Sequence, residues 1–231
     1  WSKSYAKEVM HAAGISTARA ESFSEIEKAL AYVRTTQHPL VVKADGLALG
    51  KGVVVAHTLG ESEAALSSLG MPIVVEEYMQ GREISVHALC DGERALLFPS
   101  SQDHKRAFDN NEGPNTGGMG TIAPVPGVTD ADMQCIERGV VLPLLAELRR
   151  RGTPFRGILF PGIMLTTDGP KVIEFNARFG DPETQSYMRL LESDLVPALI
   201  ASAKGDISDV HLEWRQGSVA TVILASGGYP G

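Results

Sequence analysis

Apolar and polar positions along the chain follow two rhythms. Helical spacing runs from Ser2, a suitable N-cap, to about Ala13, with Gly14 as the stop. Ser24 and Glu27 spell an S-x-x-E capping box that opens a second helix through Val33. Short apolar runs then predict strands over Pro39–Ala44, over Gly52–His57 after a glycine-rich turn, and over Pro72–Tyr78, with a short helix at Ser62–Leu69. Glu83–Cys90 and Glu93–Pro99 flank Asp91-Gly92, which predicts a hairpin with a type I′ turn. Ser100–Gly120 has no apolar rhythm, and a polar segment of that length is usually either functional or disordered. A long helix follows over Asp130–Arg151, interrupted near Pro143. Strands over Gly157–Thr166 and Lys171–Phe175 flank the turn Thr167–Pro170. Helices over Pro182–Leu191 and Leu195–Ala203 precede a last strand, Ser218–Ala225. Hairpins outnumber strand–helix–strand units, so the pattern predicts an α+β fold with antiparallel or mixed sheets backed by helices.

Composition narrows the class. The 231 residues allow one large domain or two small ones, and 43% hydrophobic with 21% charged residues is ordinary for a globular chain. No apolar run approaches the roughly 18 residues of a membrane helix. The net charge of −7 argues against a nucleic-acid partner. Cys90 and Cys135 are far apart without metal-type spacing, which predicts buried or half-buried thiols in a reducing compartment. The six histidines are scattered, and only His104 falls in a candidate site. There is no initiator Met and no signal-peptide pattern, and the chain opens inside a helical pattern; we expect an internal piece of a longer protein.

Four clusters carry chemistry. Lys43-Ala-Asp-Gly-Leu-Ala-Leu-Gly50-Lys51-Gly52 joins two strands, and such glycines let backbone N–H groups approach a phosphate. It is not a Walker A loop, because only three residues separate Gly46 from Gly50 and Gly52 follows Lys51. It is either another kind of phosphate-binding hairpin or a plain turn. Glu76 and Glu77 end an apolar strand and Glu83 follows, which suits either a pocket edge or solvated acids. Ser100–Arg106 and Glu112–Gly120 combine cations, hydroxyls and glycines in the manner of a lid over an anionic substrate. The fourth cluster is the sharpest. Glu174 and Asn176 are two apart on a strand and face one side, a pair of oxygen ligands suited to Mg²⁺, and Arg178 has the same parity. No G-x-S-x-G elbow is present, which argues against covalent serine hydrolysis.

These residues resemble the ATP-grasp superfamily in the order Lys43…Lys51, Glu76-Glu77…Glu83 and Glu174-x-Asn176. Ser101–Arg106, Gly113–Gly120 and Glu174–Thr184 are similar to the phosphoribosylamine–glycine ligase family within it, along nearly the whole chain. The resemblance implies two α+β subdomains holding ATP between them. It implies an ATP-grasp domain over 1–217 with a smaller nucleotide lid at about 20–80, and the start of a carboxy-terminal domain at 218–231. That family's amino-terminal substrate domain would be absent. The implied reaction joins glycine to 5-phosphoribosylamine through a glycyl phosphate, in a cytoplasmic monomer. Another ATP-grasp carboxylate–amine ligase, or an ATP-binding module inactive by itself, are the alternative readings. By the same resemblance Lys43, Gly50, Lys51, Glu76, Glu77 and Glu83 hold ATP, and Glu174 and Asn176 hold Mg²⁺ or Mn²⁺. Arg178, Asp103 and Lys105 are catalytic. Arg106, Asn115, Thr116, Gly117, Gly118 and Asp181 contact the substrates. A further acidic metal ligand, usual in the superfamily, is expected at or near Gly162, where this chain has none.

Overall fold

The computed structural model describes residues 2–46 and 52–231, so Gly50 and Lys51 of the predicted phosphate turn lie outside the described residues. Helix α1 (Lys3–Ala12) opens where Ser2 accepts from the Tyr5 N–H at 3.0 Å, and Gly14 follows it at φ +67°. Strand β1 (Ala20–Phe23), helix α2 (Ile26–Thr35), strands β2 (Leu40–Ala44) and β3 (Val53–Ala56), helix α3 (Leu59–Leu69) and strand β4 (Ile73–Glu77) come next. They form an antiparallel sheet in the order β1-β4-β2-β3. Leu40, Val42, Ile73 and Val75 pack from it against Ala29, Val33 and Leu66 of the two helices. The capping box at Ser24 does not form. Glu25 takes the N-cap position, one residue later, without a side-chain bond. Helix α3 starts three residues before the expected Ser62 because Thr58 caps it, accepting from the Glu61 N–H.

The second sheet is built on strand β12. Strands β5 (Arg82–Ser85), β6 (Ala88–Asp91) and β7 (Ala95–Leu97) are followed by β8 (Gln102–Asp103), β9 (Arg106–Phe108), β10 (Glu112–Asn115) and β11 (Gly120–Ala123). Helices α4 (Asp130–Ile136) and α5 (Leu142–Arg150), strands β12 (Arg156–Thr166) and β13 (Gly169–Asn176), helices α6 (Glu183–Leu190) and α7 (Leu195–Lys204), and strand β14 (Val219–Val222) complete the chain. Strand β12 pairs with β13 along one side and, end to end, with β6 and β5 along the other. One face packs Ile84, Cys90, Ile163 and Val172 against Met10 of α1 and Leu145 of α5. The other packs Leu89 and Ile158 against Tyr187, Leu190 and Ala198 of α6 and α7. Among the described strands every ladder is antiparallel, in keeping with the expected fold class.

Three local readings change. The hairpin loop after β6 is Gly92-Glu93 rather than Asp91-Gly92. Asp91 sits one position earlier, where its carboxylate accepts from the N–H groups of Glu93 and Arg94 at 2.8 and 2.6 Å. Only Gly92 has a positive φ, so the turn is not type I′. The Ser100–Gly120 stretch is structured: β9 and β10 pair as a hairpin, and β8 and β11 join β14 in a three-stranded sheet. The long helix is interrupted as expected near Pro143, through a π-helical stretch at Glu137–Val141 that absorbs the bond the proline cannot donate. Cys90 is buried and Cys135 exposed, so the half-buried reading fails for the second thiol. No described helix is long and apolar enough to cross a membrane.

Candidate active site

A cavity of about 480 Å³ lies between the two sheets, with α1 along one side. Strand parity decides what enters it from the first sheet. Leu40 and Val42 face the helices, so Lys43 faces the cavity; Ile73 and Val75 face the helices, so Glu76 faces it too. The two side chains meet diagonally across the β2–β4 ladder, Lys43 Nζ lying 2.8 Å from Glu76 Oε2. Lys7 of α1 takes the other carboxylate oxygen at 3.0 Å. Glu77 has the opposite parity. It leaves the cavity and is held at the edge by the exposed Arg19, whose Nε lies 2.7 Å from its Oε2.

A β-bulge aims the second sheet's polar residues. In β13 the register jumps at Ile173: Ile163 opposes Val172, while the neighbouring Gly162 opposes Glu174. Without the extra residue Glu174 would share the core-facing side of Val172. With it, Glu174 and Asn176 turn to the cavity face. Gly162 also opposes Ser85 of β5, so Ser85, Gly162 and Glu174 form one row across three strands with no side chain in the middle. A Cβ at Gly162 would stand at ordinary contact, 3.7 Å from Glu174 Cγ, so packing does not exclude a side chain there.

Around this floor stand the remaining groups. Lys105 pairs with Glu83, and both face the cavity beside Asp103. Burial raises the Asp103 pKa, against the opposing pull of Lys105. Burial works against the charge on Lys105, but Glu83 and Asp103 outweigh it and its pKa is raised. Thr116 and Gly117 close one side, the Thr116 hydroxyl donating to the Lys105 carbonyl at 2.9 Å. Arg178 lies 5.8 Å from the Phe160 ring centre and donates to the Phe179 carbonyl. Asp181 lines the far end, accepting from Gln185 at 2.7 Å.

Several predicted contact residues stand elsewhere. Arg106 and Asn115 oppose each other in the β9–β10 hairpin, Arg106 donating to the Gly113 carbonyl, and neither lines the cavity. Gly118 packs on Pro182 at φ +127°, where a Cβ would collide with the proline ring; its role is close approach.

Lys3, Lys7, Ser85 and Glu183 line the cavity without having been singled out in the sequence. Lys3 and Lys7 are one helical turn apart on α1, a spacing that marks a shared face. Glu183 is 3% exposed and accepts from Ser85 Oγ at 2.9 Å; burial raises its pKa. Beneath it His87 stacks on Phe160 and accepts from the Gly180 N–H through Nε2 at 3.0 Å. The neutral ring therefore donates through Nδ1 to the Tyr187 hydroxyl at 2.8 Å. Burial, followed by the Arg178 charge, holds its pKa down at about 3.

Glu174 and Asn176 present two oxygen donors on one face, with the Asn176 amide donating to Glu174 Oε1 at 3.3 Å. Among the described residues no group of three or more His, Cys, Asp or Glu side chains is arranged around a metal. The pair fits Mg²⁺, which binds through one or two carboxylates plus phosphate oxygens and water. A closed all-protein cage is not what the donor set offers.

Comparison with known proteins bears on the family and the fold. The family described as phosphoribosylglycinamide synthetase, ATP-grasp (A) domain, matches residues 1–184. The chain is 44% identical over 238 residues to the phosphoribosylamine–glycine ligase of Caulobacter vibrioides, covering 99% of this chain and 56% of that protein. It is 46% identical over 239 residues to that of Halalkalibacterium halodurans, covering 100% and 55%. The chain thus spans about half the length of the curated relatives it matches. The crystal structure of phosphoribosylamine–glycine ligase from Thermotoga maritima superposes with a TM-score of 0.90 at 34% identity, covering 99% of this chain and 60% of that one. An ADP complex of N5-carboxyaminoimidazole ribonucleotide synthetase shares the fold alone, at TM-score 0.70 and 18% identity over 96% and 55% of the two chains.

Proposed function

This chain belongs to the phosphoribosylglycinamide synthetase family and has its ATP-grasp fold, and on that basis we propose that the cavity between the sheets holds ATP and that the protein ligates glycine to 5-phosphoribosylamine. The observation that carries this reading is the convergence of Lys43 from β2, Lys105 from the β8–β9 connection, and Glu174, Asn176 and Arg178 from the end of β13 and just beyond it on one cleft.

In the proposed reaction the γ-phosphoryl group passes from ATP to the glycine carboxylate, leaving ADP and a glycyl phosphate. The amine of phosphoribosylamine then attacks the carbonyl carbon. The new C–N bond forms, the C–O bond to phosphate breaks, and the amine gives up a proton. No protein nucleophile is needed, so the chain's task is positioning and charge neutralisation. Lys43 presents an ammonium whose place is set by Glu76 and the Ile173 carbonyl. Lys105 and Arg178 neutralise the phosphoryl oxygens. Asp103 stands beside them with a raised pKa, suited to receive the amine proton. Glu83 holds the ribose hydroxyls, with Thr116, Gly117 and Asp181 walling the acceptor side. Glu174 and Asn176 hold Mg²⁺ or Mn²⁺, which when bound supplies further neutralisation of phosphate charge.

We assign residues 1–217 to the ATP-grasp domain, with about 20–80 as the nucleotide lid, and 218–231 to the start of a following domain. The same reading makes the enzyme a cytoplasmic monomer acting on small molecules, without nucleic-acid or membrane partners.

The test is calorimetric titration of the chain with ATP, with and without Mg²⁺, beside Glu174→Ala. We expect magnesium-dependent binding, weakened in the variant by at least a factor of about ten, or ~1.4 kcal/mol. A folded wild-type chain that binds no nucleotide would sink the reading.

A further inference from the structure

Lys7 shares a carboxylate with the lysine placed at the nucleotide. Its ammonium has three acceptors: Thr17 Oγ1 at 2.8 Å, the Ala18 carbonyl at 2.9 Å and Glu76 Oε1 at 3.0 Å. Those are all the donors a lysine has, so Lys7 is saturated and fixed. Lys43 is held from Glu76 Oε2 at 2.8 Å and from the Ile173 carbonyl at 3.1 Å, which leaves one donor. Lys43 and Glu76 are nearly sealed from solvent, at 5% and 3%, and Lys7 is 13% exposed. Two ammonium groups on one carboxylate give this buried trio a net charge of one positive unit, with Glu77 as a further acidic neighbour of Lys7. Burial lowers the Lys7 pKa in spite of Glu76, so holding the charge there is costly, and an anion bound beside Lys43 would offset that cost.

Resting on the nucleotide reading above, we propose that Lys7 is a positioning residue for nucleotide: it clamps Glu76 from α1, thereby holds Lys43 with its free donor toward the ligand, and supplies the excess positive charge that a nucleotide's phosphates or ring nitrogens meet. Lys7 itself has no donor left for the ligand, so it acts only through its neighbours. Its two other acceptors lie in the connection between α1 and β1. The clamp therefore joins α1, the first sheet and, through Ile173, the bulge that aims Glu174.

Removing Lys7 leaves Lys43 and Glu76 as a neutral pair, so Lys7→Met is expected to fold. Lys7→Gln keeps an N–H donor, on a side chain one atom shorter, without the charge. Titration with Mg-ADP should give a dissociation constant raised about tenfold in Lys7→Met and about threefold in Lys7→Gln, with the two melting temperatures close together. A merely structural lysine would lower stability in both variants and leave their affinities alike. Lys7→Met binding Mg-ADP as tightly as wild type, or both variants weakened equally, overturns the proposal. Absence of binding by the wild-type chain overturns the nucleotide reading and this proposal with it.

Discussion

Glu183 is a carboxylate at the cleft whose charged form the fold opposes. It is buried beside Asp103 at the floor of the cleft, where its own backbone N–H, the neutral Ser85 hydroxyl and the Lys105 charge only partly offset the burial. Burial raises its pKa above the ordinary value of about 4.3. A raised carboxylate pKa means that the protonated form favours the folded state. That stability is fully present below the ordinary value and is lost as pH rises through the folded value. Glu183→Gln keeps an oxygen for Ser85 and removes the charge. The urea midpoint of the variant should exceed that of wild type at pH 7, by about 1.4 kcal/mol for each unit of raised pKa, and the two should converge near pH 4. A variant no more stable than wild type at pH 7 would show that the ionised form is well accommodated. Neither Glu183 nor Lys7 was legible as a site residue, because each meets its partners across long sequence separations. Glu174 and Asn176 were legible from the two-residue strand period. The bulge that turns them from the core leaves no mark in the residue types, since Ile173 is an ordinary strand residue.

Element boundaries were legible where a side chain could complete the local hydrogen bonding. Helix α1 begins at the Ser2 cap as its pattern implies. Ser24 and Glu27 have the letters of a capping box and form none, because the helix that follows starts from Glu25. Thr129 and Asp132 form a reciprocal box. The Thr129 N–H donates to Asp132 Oδ2 at 2.8 Å and the Asp132 N–H donates to Thr129 Oγ1 at 3.2 Å. Thr129→Ala should therefore lower stability by about 1 kcal/mol, read as a smaller urea midpoint at unchanged m. Ser24→Ala is the matched control and should move the midpoint little, since it removes no cap. Strand β1 was missed for a different reason. Its sequence, Ala-Glu-Ser-Phe, carries no apolar alternation, and it is a strand only because β4 offers an edge for it to pair with. The β9–β10 hairpin was hidden likewise: its residues, the apolar Phe108 included, are mostly exposed, so burial imposed no pattern on them.

At the scale of the molecule, the fold class followed from counting hairpins, but the cleft depends on pairings that the sequence order does not announce. Strand β12 gathers β5, β6 and β13 from either side of it in the chain, and the bridge from Thr17 to Val172 ties the start of the first sheet to the second. The two sheets have separate hydrophobic cores: the first packs under α2 and α3, the second against α1 and α5 on one face and α6 and α7 on the other. Across the cleft they are joined by polar contacts such as Lys43 to the Ile173 carbonyl. A ligand seated there touches both sheets at once, so its binding free energy stabilises each against local opening. At a hundred times its dissociation constant, Mg-ADP should add about 2.7 kcal/mol of stability. Amide exchange should slow in β2 and β4 and equally in β12 and β13, because opening either sheet releases the ligand. Protection confined to one sheet would place the nucleotide on an outer surface, and the groove beside Arg19 and Glu77 would become the site to examine. Protection in both, lost together in Glu174→Ala, is the pattern that a nucleotide gripped between the sheets must produce.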